Sequence, residues 1–76
     1  MEKVEFNGKK YDARHGGPFD RGAADSYYGR PIKPHFYTGG TGTSTLVPKY
    51  GMSKEAIEEY HAGYDYNEKM GDKKEW

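Results

Sequence analysis

Two arginines and a histidine stand among glycines in Arg14-His15-Gly16-Gly17-Pro18-Phe19-Asp20-Arg21-Gly22. Glycine lets backbone come close to a ligand, and an arginine fork meets phosphate or carboxylate with two parallel N–H donors. Asp25, Tyr27, Tyr28, Arg30, His35 and Tyr37 follow closely in the chain. Arg14, His15, Arg21, Asp25, Tyr27, Tyr28, Arg30, His35 and Tyr37 are therefore the candidate ligand-binding residues, suited to a nucleotide or a phosphodiester. A competing reading keeps the charges internal. Arg14 and Arg21 would pair with Asp20 and Asp25, the glycines would only make turns, and the network would substitute for a core. Tyr27-Tyr28-Gly29-Arg30 also interleaves rings with a cation, as nucleic-acid readers do, where each stacked base is worth about 1–3 kcal/mol.

Other motifs carry less chemistry. Thr38-Gly39-Gly40-Thr41-Gly42-Thr43-Ser44 is glycine-rich. It lacks the Lys-Ser/Thr ending of a P-loop, the third glycine of a dinucleotide fingerprint and a following helix, so it reads as a turning loop. His61 and Asp65 are one helical turn apart, a metal-compatible spacing with no third ligand marked. His15 has Asp20 close by, yet no hydroxyl nucleophile stands in a motif. The three histidines read as hydrogen-bonding residues. No cofactor or metal is implied, and the expected activity is binding, not catalysis.

Composition narrows the frame for these residues. Seventy-six residues allow one small domain, and the absence of Cys removes disulfides, thiolate metal sites and cysteine nucleophiles together. No run approaches the ~20 apolar residues of a membrane span, which leads to the expectation of a soluble, intracellular chain. Leu, Ile, Val and Phe number only eight, whereas aromatics number twelve, eight of them Tyr. Few aliphatics suggest disorder, but disorder goes with high net charge and few aromatics, and here twelve basic side chains balance twelve acidic ones. That zero conceals an asymmetry. Residues 1–50 hold eight basic and five acidic side chains, and residues 51–76 hold four and seven. Binding driven by charge alone is thereby excluded, while a local basic, aromatic surface in the first half is not.

The elements that must position the candidate residues follow from turns and periodicity. Asn7-Gly8 is a strong type I′ turn signal, and predicts a β-hairpin over residues 1–12 that pairs Phe6 with Lys9, Glu5 with Lys10, Val4 with Tyr11 and Lys3 with Asp12. Its Val4/Phe6/Tyr11 face must cover something, because an isolated hairpin is marginal in water. Residues 13–51 form a Gly/Pro/Arg/Tyr-rich central region with eight of the eleven glycines and all four prolines. Within it, residues 20–28 predict a short helix with Asp20 as N-cap, Arg21 paired to Asp25, Gly29 as C-cap and Pro31 as stop; Gly22 counts against it. Residues 35–38 and 43–47 read either as a second hairpin or as an ordered loop pinned by aromatics. Residues 53–70 predict an amphipathic helix, capped by Ser53 and closed by Lys69 and Gly71, with Ile57, Tyr60 and Tyr64 facing the body. Gly63 inside it implies close packing at that spot. In the charged tail 71–76, Trp76 either folds back or forms an exposed contact.

The order Arg14-His15-Gly16-Gly17-Pro18-Phe19-Asp20-Arg21-Gly22, Ala24-Asp25-Ser26-Tyr27-Tyr28-Gly29-Arg30, Pro34-His35, Glu59-Tyr60-His61-Ala62-Gly63-Tyr64 and Gly71-Asp72-Lys73-Lys74-Glu75-Trp76 resembles a family of small accessory proteins of tailed bacteriophages. The resemblance runs from about residue 12 to the C-terminus and leaves out the N-terminal hairpin. It implies expression in a bacterial host, hence the host cytoplasm, and assigns no activity. A second likeness is to ribosome modulation factor, on the spacing of Gly22, Gly29-Arg30 and Pro34-His35. That family's Cys before the Pro, its tryptophan-containing second half and its strong positive charge are absent here.

The combined expectation is a small single α+β domain: an N-terminal hairpin, a central region with a short helix, and a C-terminal helix packed across. Its function would be to bind a host factor or a phosphate-bearing ligand, nucleotide or RNA, and so to modulate or counter a host process. The alternative is a protein–protein or self-assembling module with a Tyr/Trp contact surface, and hence a homo-oligomer.

Overall fold

The structure, a computed structural model of the chain, describes residues 3–39 and 45–71. Strands β1 (Lys3–Phe6) and β2 (Lys9–Asp12) form the N-terminal hairpin in the register that its turn dictates, from Phe6 opposite Lys9 to Lys3 opposite Asp12. Asn7 and Gly8 both take positive φ, 53° and 77°, as a type I′ turn requires. Helix α1 (Pro18–Tyr27) follows, then the antiparallel pair β3 (His35–Tyr37) and β4 (Leu46–Pro48), a 3-10 turn (Lys49–Gly51) and helix α2 (Lys54–Met70). The chain is thus a small α+β fold, and the second hairpin is formed. The glycine-rich segment at residues 40–44 and the Trp76 tail lie outside the described residues.

α1 begins before Asp20, which corrects the N-cap assignment. Pro18 occupies the first turn, where a missing N–H costs nothing, and Gly17 is the extended N-cap. Asp20 instead reaches back, and its carboxylate accepts the Gly16 N–H at 2.9 Å. The helix closes as a Schellman motif: Gly29, at φ 70°, donates to Ser26 O, and Arg30 N donates to Asp25 O. α2 keeps its expected caps, with Ser53 Oγ accepting from Ala56 N at 3.1 Å and Gly71 at φ 69°.

The two helices meet backbone to backbone. A Cβ built on Gly22 would lie 2.0 Å from Tyr60 O, and one on Gly63 would lie 2.0 Å from Phe19 O. Each helix therefore presents a glycine where the other presents its main chain. Gly22, read from sequence as a weakness of α1, is what lets α1 pack. The close approach buries Phe19, Asp25 and Ser26 on one side and Tyr60 and Ala62 on the other. Polar bonds cross the contact as well: Ser26 Oγ donates to Glu68 at 2.5 Å and accepts from Asn67 Nδ2 at 3.0 Å.

The N-terminal hairpin seats its apolar face on this pair. Tyr11 stacks on Phe19 at 5.3 Å between ring centroids, and Tyr66 meets both Phe19 and Phe6 at 5.6 Å. Tyr66 is not in the Ile57/Tyr60/Tyr64 stripe. α2 has neighbours on two sides, α1 and the loop after it on one and the hairpin on the other, so its buried face is wider than a single stripe.

Alanine at an exposed helical glycine raises stability by up to about 1 kcal/mol. At Gly63 the sign reverses: Gly63→Ala lowers the unfolding free energy by at least about 2 kcal/mol in urea titration, because Phe19 O must move. A neutral or stabilising result would contradict the contact.

Candidate functional site

Asp25 organises the site. It is buried on the inner face of α1, and an unpaired carboxylate there would be costly. Oδ2 accepts a short hydrogen bond from the Tyr60 hydroxyl of α2, and Oδ1 faces Arg30 Nη1 at 3.3 Å. The Tyr60 oxygen in turn accepts the Lys33 N–H at 3.0 Å, and Tyr64 OH donates to Arg30 O at 2.5 Å. Two α2 tyrosines thus hold the loop of residues 28–34 over the end of α1. Burial pushes the Tyr60 phenol far above the usual tyrosine range, and donation to Asp25 adds to the shift.

His35 closes the network from β3. Its Nδ1 lies 2.7 Å from Lys33 O, and a carbonyl only accepts, so Nδ1 carries the proton. Nε2 then offers its lone pair to Arg21 Nε, 3.2 Å away. The ring is the neutral tautomer in this geometry, and it orients Arg21. The Arg21 guanidinium also lies 5.4 Å from the centre of the Tyr37 ring, within cation–π range.

Arg21, Asp25, Arg30, Pro31, Lys33 and His35 surround a cleft of about 250 Å³. Arg21 hydrogen-bonds through Nε and Arg30 through Nη1, so both keep N–H groups without a partner among the described residues. A second, largely apolar groove of about 600 Å³ adjoins it and shares Lys33 and His35. Ile32, Leu46 and Tyr50 are exposed along it, Tyr50 at 94%.

The candidate residues separate into groups. Arg21, Asp25, Arg30 and His35 converge on the cleft, and Tyr37 lines the groove. Tyr28 lies under Arg30, 4.7 Å from ring centre to guanidinium, with Tyr27 packed edge-on against it at 5.0 Å. Arg14 and His15 do not join them. Arg14 Nη2 donates to Tyr37 O at 3.0 Å and Nη1 to His15 O at 3.5 Å, so its fork clamps the loop before α1 to the end of β3. The His15 side chain is 90% exposed and stands 3.9 Å from Asp20.

Neither expected pairing is the one formed. Asp20 is taken by backbone and Asp25 by Tyr60 and Arg30, so Arg14 and Arg21 find a carbonyl and an imidazole instead. Lys33, Tyr50 and the Tyr60 hydroxyl were not singled out from sequence as site residues. Only the Pro31-Ile32-Lys33-Pro34 run, which holds a lysine between two prolines, signals one of them. Among the described residues no His/Asp/Glu group is placed to hold a metal, His61 and Asp65 included, and no helix is long and apolar enough to cross a membrane.

Tyr60 gives a pH-dependent test. Its folded pKa lies above the unfolded value near 10, so its contribution is complete below about pH 10 and is lost as pH rises through the folded pKa. Tyr60→Phe lowers stability by about 1–3 kcal/mol at neutral pH by stranding Asp25 and the Lys33 N–H. The gap between wild type and variant narrows in unfolding titrations above pH 10. A gap independent of pH would contradict the buried Tyr60–Asp25 bond.

Comparison with protein-family models, with curated proteins and with solved structures finds no match, so the site stands on its own geometry.

Proposed function

We propose that this chain is a non-enzymatic binding protein that takes a phosphate-bearing ligand, a nucleotide or RNA, in the cleft between α1 and the loop after it. The observation that carries this reading is the cleft's charge. Arg21, Arg30 and Lys33 line it, and its one carboxylate among the described residues, Asp25, is already bound by Tyr60 and Arg30. The remaining N–H donors of Arg21 and Arg30 suit phosphate oxygens, and the Arg30 guanidinium is steadied over the Tyr28 ring. His35 supports binding over catalysis, because both ring nitrogens are already engaged, Nε2 by Arg21 and Nδ1 by Lys33 O. On the resemblance to tailed-phage accessory proteins, the setting is the host cytoplasm and the effect is on a host process.

A second reading is contact with another protein or a second copy of the chain. The exposure of Ile32, Leu46 and Tyr50 along one groove favours it.

The two readings separate in the Arg21→Ala, Arg30→Ala double variant. The expected outcome is a folded protein by circular dichroism that no longer recovers nucleotides or RNA from host lysate. With single-stranded RNA, the salt dependence of log K should weaken by about 0.7 per arginine removed. Unfolding of the double variant would favour the internal-network reading. Lys33→Glu keeps the test open in that case, since the Lys33 side chain is exposed and only its backbone N–H and C=O are used in the fold. Binding unchanged by Lys33→Glu would contradict the proposal.

A further inference from the structure

We infer that the groove between residues 32–34 and the β3–β4 hairpin is a seat for a nucleobase, so that the ligand of the neighbouring cleft is a nucleoside phosphate. This rests on the phosphate reading above and narrows it.

The two concavities share a wall: Lys33 and His35 line both, so a ligand held in the cationic cleft can extend past them toward the groove. The groove is apolar, built on Ile32, Pro34, Leu46 and Pro48, with Tyr37 and Tyr50 contributing rings. Its size, about 600 Å³, falls within the range of small-molecule sites, as does a mostly apolar lining with a few polar groups. Tyr50 stands on the 3-10 turn with its side chain almost wholly exposed, which leaves a ring face for stacking.

Charge selects the occupant. Lys33 and Lys49 are the groove's charged residues, and no carboxylate lines it among the described residues. An occupant therefore needs anionic character at the cleft end and a flat, weakly polar body at the groove end. A nucleoside phosphate has that layout, with its phosphate one sugar away from a ring whose faces stack on tyrosine. Inorganic phosphate or a sugar phosphate would use the cleft and leave the groove unfilled.

Calorimetry with the full chain tests this, using adenosine monophosphate, ribose 5-phosphate and inorganic phosphate as probes. The expected result is that the nucleotide binds at least about fivefold more tightly than ribose 5-phosphate, the lower end of one stacking contact. Tyr50→Ala, a change at an exposed side chain, should erase that advantage and leave ribose 5-phosphate affinity unchanged. Equal affinity for nucleotide and sugar phosphate in the wild type would overturn the groove inference alone and leave the phosphate cleft standing. Failure of all three probes to bind would overturn both. A dimer in light scattering that Tyr50→Ala dissolves, with no nucleotide advantage, would assign the groove to a second copy instead.

Discussion

The close approach of α1 and α2 at Gly22 and Gly63 is the constraint on which the remaining structure depends. A chain with eight Leu, Ile, Val and Phe residues cannot hold two helices together by interlocking aliphatic side chains. It brings the main chains into contact, so that short polar groups span the gap. Glycine is unfavourable in a helix interior by about 1 kcal/mol relative to Ala, yet here it removes the Cβ that would hold the helices apart. At this separation the Tyr60 hydroxyl reaches Asp25 and Ser26 reaches Glu68. A wider crossing would leave those groups buried and unpaired.

The same geometry makes tyrosine useful in place of leucine. Tyr60 is wholly buried, and its ring supplies apolar area while its hydroxyl donates to Asp25 and accepts from Lys33. Tyr64 fixes Arg30 O, Tyr11 joins the hairpin to α1 through Phe19, and Tyr66 joins it to α2 through Phe6. The loop after α1 is thus anchored at residues 30 and 33 by α2, with Arg30 and Lys33 placed along one cleft. Structural and binding roles need not compete here. Asp25 is engaged by Tyr60 and Arg30 inside the fold, and the other N–H donors of Arg21 and Arg30 keep no partner among the described residues.

Local rules made the hairpin and α2 legible, because their signals are contained within the elements. Asn7-Gly8 sets the register of β1 and β2, and Ser53 and Gly71 bound α2. α1 was misplaced at its start because Asp20 resembles an N-cap, while the actual start combines Pro18 with a carboxylate that reaches back to Gly16. Gly22 read as a defect because its purpose is a partner far along the chain. The site was legible in part. Arg21, Asp25, Arg30, His35 and Tyr37 do gather, but which charge meets which is decided by tertiary geometry: Arg14 goes to a carbonyl and Arg21 to an imidazole. Lys33 and Tyr50 carried little local signal, being a lone lysine and one tyrosine among eight.

We propose that a cleft held in place by Tyr60 and Asp25 binds phosphate through Arg21, Arg30 and Lys33. The most direct measurement is an NMR titration that follows arginine Nε–H, histidine ring and backbone amide signals as a nucleoside monophosphate is added. The expected result is saturable shifts at Arg21, Arg30, Lys33 and His35, with Arg14 and His15 unmoved, although all belong to the same basic half of the chain. Shifts of equal size at Arg14 and His15, or none at the cleft, would contradict it.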